Sequence, residues 1–165
     1  MSDSSRWTAF EPPVPAIGAV LLTCVPYRGL NDAVVRPHPA IVVKRYSFIS
    51  GHFVLVIGGT SIYDDRGVRK RDWVGEIDLD EAQRKHANLP KPTKFGLNRN
   101  SIRLLPFTDQ FFIPNAARRP SGYGQVSLKD GAFWKAVVAG GYDVLLQQVS
   151  TELIAAYVAE ANAPS

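Results

Sequence analysis

The sequence predicts an α+β fold: a small, strongly bent β-barrel with helices packed against it. Three observations carry this. Short apolar, β-branched runs fall between residues 19 and 57, glycines and prolines punctuate them, and two stripes at helical spacing occupy residues 127–160. With 165 residues, 45% of them apolar and 21% charged, the chain can bury one core in a single domain.

Residues 1–16 predict an extended, poorly ordered arm, because Pro12-Pro13-Val14-Pro15 favours an open backbone. The domain proper then covers residues 17–165. Ala19 to Val25 is almost wholly apolar and predicts a buried strand stopped by Pro26. Ala40 to Tyr46 follows Pro39 and is rich in β-branched residues, and Phe53 to Ile57 is a third run that Gly58-Gly59 should end. Ser50-Gly51 between these last two is a hairpin signal. Residues 62–94 change character: eight cations and seven acids make them nearly neutral, as expected of an insertion in the barrel. A short helix is expected near Asp80 to Ala87, ended by the Leu89-Pro90-Lys91-Pro92 turn. Strand character resumes at Phe95 and Leu97, turns at Asn98-Arg99-Asn100, and continues from Ile102 to Leu105. Ser127-Leu128-Lys129-Asp130 matches a capping box. Leu128, Ala132, Phe133, Ala136 and Val137 then share a helical face that Gly140-Gly141 closes. A second helix is expected from Asp143 to about Glu160, with Leu145, Val149, Leu153 and Tyr157 at i, i+4 spacing, a stripe suited to a core or a dimer seam.

Composition removes several function classes. The single cysteine, Cys24, excludes an intrachain disulfide framework and a Cys-rich zinc site, and its apolar surroundings suit a buried small hydrophobe. The apolar stretch Ile17 to Val25 is too short to span a bilayer. Asp3, Arg6 and Glu11 do not suit a signal peptide, so a soluble, cytoplasmic chain without membrane contact is expected. A net charge of +4 fits a polyanionic partner without requiring one.

There is no glycine-rich phosphate loop and no nucleophile elbow, and Gly58-Gly59-Thr60 lacks the lysine a P-loop needs. His38, His52 and His86 do not stand at ligand spacing. The pairs Asp64-Asp65 and Asp78/Asp80 lie among many cations, as on a solvated face, so neither metal nor cofactor is expected. More informative is Arg36-Pro37-His38-Pro39 before the second run, with Thr60-Ser61 after the third. In an antiparallel hairpin these two positions can share one rim. Arginine offers a donor fork for phosphate, the hydroxyls add donors, and histidine can take or give a proton near neutral pH. Those groups suit RNA cleavage without metal, in which the substrate's 2′-hydroxyl attacks the adjacent phosphorus and the protein positions and stabilises. The plain alternative is an arginine and a histidine serving as ordinary loop residues.

Several segments resemble the MazF/PemK toxins. Gly18-Ala19-Val20-Leu21-Leu22 is similar to the family's opening strand, and Arg36-Pro37-His38-Pro39-Ala40-Ile41-Val42-Val43 to its Arg-Pro-apolar signature. Val56-Ile57-Gly58-Gly59-Thr60-Ser61 resembles the segment that ends the family's third strand in a functional threonine. Leu97-Asn98-Arg99-Asn100-Ser101-Ile102-Arg103-Leu104-Leu105 resembles a later family strand. The resemblance implies an SH3-like barrel with C-terminal helices, usually a homodimer. It implies a metal-independent endoribonuclease that cleaves single-stranded RNA, in the manner of an mRNA interferase, and is neutralised by a cognate antitoxin. The family threonine falls on Thr60 and the family arginine on Arg36; aligning Pro39 on the family proline instead puts His38 at the arginine position. The expected catalytic set is therefore Arg36, His38, Thr60 and Ser61.

Between residues 91 and 119 six cations face one acid, with Phe95, Phe107, Phe111 and Phe112 interleaved, as an unpaired strand would require. The expected RNA-binding residues are Lys94, Arg99 and Arg103, with Arg28 after the first strand. The alternative is that the rings are core and the cations a solubilising surface. A second functional expectation is a non-catalytic nucleic-acid- or protein-binding module on the same barrel.

Overall fold

The computed structural model describes residues 6–25 and 36–163; Arg28 and Pro26 lie outside them. The fold is α+β, with seven strands and three helices among the described residues: β1 (Ala19–Thr23), β2 (His38–Phe48), β3 (Gly51–Ser61), β4 (Glu76–Asp78), α1 (Glu81–His86), β5 (Thr93–Gly96), β6 (Ile102–Pro106), β7 (Gly122–Gln125), α2 (Gly131–Ala139) and α3 (Tyr142–Ala161). The pairings among these seven strands are antiparallel. The order is β4-β5-β3-β2-β1-β7, with β6 also on β3, so the sheet is open, with β4 and β7 at its edges, and does not close on itself among the described residues.

The apolar runs are continuous because both faces of the sheet are covered. Val20, Ile41, Leu55, Ile57 and Ile102 point to one face, against Phe133 and Val137 of α2 and Leu146 and Val149 of α3. Ala19, Leu21, Ala40, Val42, Val54 and Val56 point to the other, against Phe10, Phe107 and Phe112. The N-terminal arm is thus partly docked: Phe10 is buried, its ring centroid lies 5.0 Å from that of Phe107, and it donates its N–H to the Phe107 carbonyl. Arg119 holds the arm further along through the carbonyls of Glu11 and Pro13.

A bulge in β2 sets what meets α3. The β2–β3 register shifts between Val42 and Lys44, which inserts one extra residue and exchanges the faces beyond it. Lys44 and Tyr46 therefore join the α3 side, where Tyr46 Oη lies 3.0 Å from Ser150 Oγ and Lys44 Nζ donates to Gln147 Oε1 at 2.6 Å. At the hairpin turn, Phe48 and Phe53 pack on Tyr157 with ring centroids 4.4 and 4.8 Å away. The two-residue turn falls at Ile49-Ser50, one position from the Ser50-Gly51 signal.

Three expectations are corrected here. Gly58-Gly59 does not end β3, which runs on to Ser61 by exchanging partners. The 62–94 segment is more than an excursion, because β4 within it and β5 at its end add to the sheet edge. Ser127 does not cap α2: its Oγ accepts from the Lys129 and Asp130 N–H groups in a separate turn. Gly131, the first residue of α2, has φ +88°, so the backbone turns sharply between that turn and the helix. No helix among the described residues is long and apolar enough to cross a membrane.

Candidate active site

The site forms where β2 and β3 part. Their ladder runs from Phe48 opposite Gly51 to Ala40 opposite Gly58, and stops. Beyond it Pro39 and His38 pair with Leu22 and Thr23 of β1, while Gly59, Thr60 and Ser61 pair with Phe95, Lys94 and Thr93 of β5. Pro39, with no N–H to give, stands at the divergence, and Gly58 turns its N–H to the Ser101 carbonyl at 2.8 Å. Glycine is required at 59, since a Cβ there would come within 2.5 Å of the Phe95 ring.

The splay opens a cleft of about 370 Å³. His38, Gly58, Gly59 and Thr60 line it from the two strands, Trp73 from the segment before β4, Glu76 from the start of β4, and Asn98, Asn100 and Ser101 from the β5–β6 turn. A larger cleft of about 620 Å³ lies between α1 and the start of α2, lined by Gln83, His86 and Ser127 among others, and holds none of the expected catalytic residues.

Of the expected catalytic set, His38 and Thr60 share the first cleft, and Ser61 joins them through a residue the sequence reading passed over. Lys70 Nζ donates to Thr60 Oγ1 at 3.1 Å and to Ser61 Oγ at 3.0 Å. Ser61 passes its own hydrogen to the Tyr63 carbonyl at 3.1 Å. Thr60, accepting from Lys70, keeps its hydrogen for an acceptor in the cleft. Lys70 is placed by a short bridge between Tyr63 and Arg69, and its N–H bonds the Ile62 carbonyl at 2.8 Å.

His38 is half-buried, and its pKa is held below the ordinary 6.5 by burial first, then by the Lys70 ammonium and the Arg36 guanidinium. The imidazole is therefore neutral at physiological pH and able to accept a proton. Arg36 is exposed two residues before His38, and its charge reaches the ring. These groups offer a proton acceptor, a hydroxyl donor and two cations beside one cavity, which is what in-line displacement at a phosphate diester needs.

The RNA-binding expectations fare unevenly. Lys94 is corrected: its side chain is 1% exposed, with Nζ 2.9 Å from Glu76 Oε1 and 3.1 Å from Asp72 Oδ1, so it cannot reach an RNA backbone. Arg99 is exposed in the β5–β6 turn but paired with Glu152 of α3, which raises its pKa and lowers that of the carboxylate. Arg103 lies on β6 opposite Val56, half-buried. Of the interleaved rings, Phe95, Phe107 and Phe112 are buried in the core and closed to base stacking, and Phe111 packs against it. Cys24 is half-buried, and burial pushes its thiol pKa up.

Sequence reasoning missed Lys70, Trp73 and Glu76, all in the segment read as a neutral insertion. One signal was available: a tryptophan amid charged residues, Arg69-Lys70-Arg71-Asp72-Trp73, is out of place on a merely solvated loop. Among the described residues no group of three or more His, Cys, Asp or Glu is placed to hold a metal ion. No protein-family model matches the chain, and no curated protein matches it either.

Proposed function

We propose that the chain is a metal-independent endoribonuclease of the MazF/PemK toxin type. In this reading it is a cytoplasmic protein that acts on single-stranded RNA as a homodimer, is held in check by a cognate antitoxin, and carries a sheet derived from an SH3-like barrel. One observation supports the reading above the others: His38 and Thr60 face one cleft, and Lys70 bonds the hydroxyls of Thr60 and Ser61 beside it.

Neutral His38 takes the proton of the 2′-hydroxyl as O2′ forms its bond to phosphorus. The P–O5′ bond breaks and the 5′-oxygen leaves with a proton from water. Thr60 donates to a non-bridging oxygen, while Lys70 and Arg36 offset the charge gathered on the phosphorane. Arg36 holds its proton too tightly to serve as the acid, so its part is electrostatic. The products are a 2′,3′-cyclic phosphate and a 5′-hydroxyl.

The test is incubation of purified protein with a mixed single-stranded RNA pool in EDTA, followed by end-group analysis. Cleavage leaving cyclic phosphate ends is expected. Intact RNA would overturn the catalytic reading, and salt-sensitive binding without cleavage would leave a nucleic-acid-binding module in its place.

A further inference from the structure

Lys94 poses a question that the catalytic reading does not answer. A buried ammonium is costly unless each proton is matched, and here all three are: to Glu76 Oε1, to Asp72 Oδ1, and to the Arg71 carbonyl at 2.9 Å. Burial alone would lower its pKa, but the bonds to Glu76 and Asp72 outweigh that and raise it, so Lys94 stays charged. Every one of these partners belongs to residues 71–76. The same short segment is pinned from the other side, where Asn98 Nδ2 donates to the Val74 carbonyl at 2.9 Å and the Leu97 N–H to the Gly75 carbonyl at 2.8 Å. Gly75, at φ +86°, sits so close that a Cβ would lie 2.4 Å from the Leu97 carbonyl oxygen. Trp73 closes the loop by donating its N–H to Glu76 Oε1 at 2.7 Å.

A loop held this firmly nevertheless presents Trp73 46% exposed and Val74 84% exposed, with the Trp73 side chain on the wall of the cleft. The Arg71 guanidinium lies 4.5 Å over the indole ring, adding a cation at the same edge. Asn100 and Ser101, with an amide and a hydroxyl side chain, line the same cleft. A flat aromatic ring and hydrogen-bonding groups in one cleft, beside His38 and Thr60, are complementary to a nucleobase, which has apolar faces and a polar edge.

Resting on the RNA reading of the cleft, we propose that residues 71–76 form a base-binding wall: Trp73 stacks on the nucleobase next to the cleaved phosphate, Asn100 and Ser101 contact its edge, and buried Lys94 is the positioning residue that holds the wall in place. The segment read as an insertion then supplies part of the substrate selectivity.

The test uses a single-stranded RNA oligonucleotide made uncleavable by 2′-O-methyl groups, and the same oligonucleotide with abasic positions, each titrated by fluorescence anisotropy. Trp73→Ala should weaken binding of the intact oligonucleotide about tenfold and leave the abasic one unchanged, while Trp73→Phe keeps most of the affinity. Lys94→Met should reproduce the loss on intact RNA alone; a merely structural lysine would weaken both ligands equally. If Lys94→Met fails to fold, the Trp73 pair still decides the matter. Wild-type protein that binds RNA with no dependence on Trp73 overturns the wall and leaves the nuclease reading standing. Wild-type protein that binds neither oligonucleotide overturns the RNA reading itself, and tight binding of a protein segment to the wall without RNA affinity would replace it.

Discussion

The two ends of the β2–β3 hairpin differ in nearly every respect. At the turn, Phe48, Phe53 and Tyr157 form an aromatic knot, and Tyr46 bonds Ser150, so strand and helix groups are satisfied within the fold. At the other end the strands part over Pro39, Gly58 and Gly59, where His38 and Thr60 line a cavity and Lys70 bonds the Thr60 hydroxyl. One pair of strands thus carries stability at one end and chemistry at the other. The bulge at Val43 allows this, since it turns the side chains near the hairpin turn onto α3 without disturbing the register of the splayed end.

Substitutions at the two ends should separate cleanly. His38→Ala at the splayed end should lower RNA cleavage by about a hundredfold or more, the usual scale for losing a proton-transfer group. Its thermal midpoint should stay within about 2 °C of wild type, because the residue lines a cavity rather than filling the core. Tyr157→Ala at the turn end should do the reverse. It removes ring contacts to both Phe48 and Phe53, and chemical denaturation should show a loss of about 2 kcal/mol, with cleavage per folded molecule unchanged. If Tyr157→Ala cut the specific rate, or His38→Ala unfolded the chain, the division between the two ends would fail.

Lys70→Met should lower the rate less than His38→Ala does and have the most informative pH dependence. Cleavage should fall about tenfold as a cation is lost beside the phosphate. A neighbouring positive charge holds the His38 pKa down, so its removal lets that pKa rise. The active form is the neutral imidazole, so the rate falls as pH drops through this pKa, and the acid limb of the variant should lie at higher pH than that of wild type. Rate measurements from pH 5 to 8 on both proteins would show it.

How much of this was legible beforehand follows from what each residue's partners are. Strands β1, β2 and β3 were visible because sheets covered on both faces need unbroken apolar runs, and α3 because Val149, Leu153 and Tyr157 keep helical spacing. His38 and Thr60 were placed on one rim because antiparallel pairing is local and nearly obligatory between adjacent runs. Lys94 was misread because its partners, Asp72 and Glu76, lie 22 and 18 positions earlier in a segment whose charges sum to almost nothing. The extension of β3 past Gly58-Gly59 was hidden too: glycine weakens a strand locally, and only β5, arriving from a distance, supplies the new ladder. Phe10 belongs to the same class, as an arm residue whose pocket, Phe107, is remote in sequence.

The cleft's chemistry is tested most directly by following wild-type cleavage of single-stranded RNA in EDTA as a function of pH, with the product ends identified. The expected result is cyclic phosphate ends and a rate whose acid limb has its midpoint below pH 6.5, the signature of a histidine kept neutral by burial and two cations. RNA left intact at every pH, or a midpoint at or above 6.5, would contradict the assignment of His38 as the base.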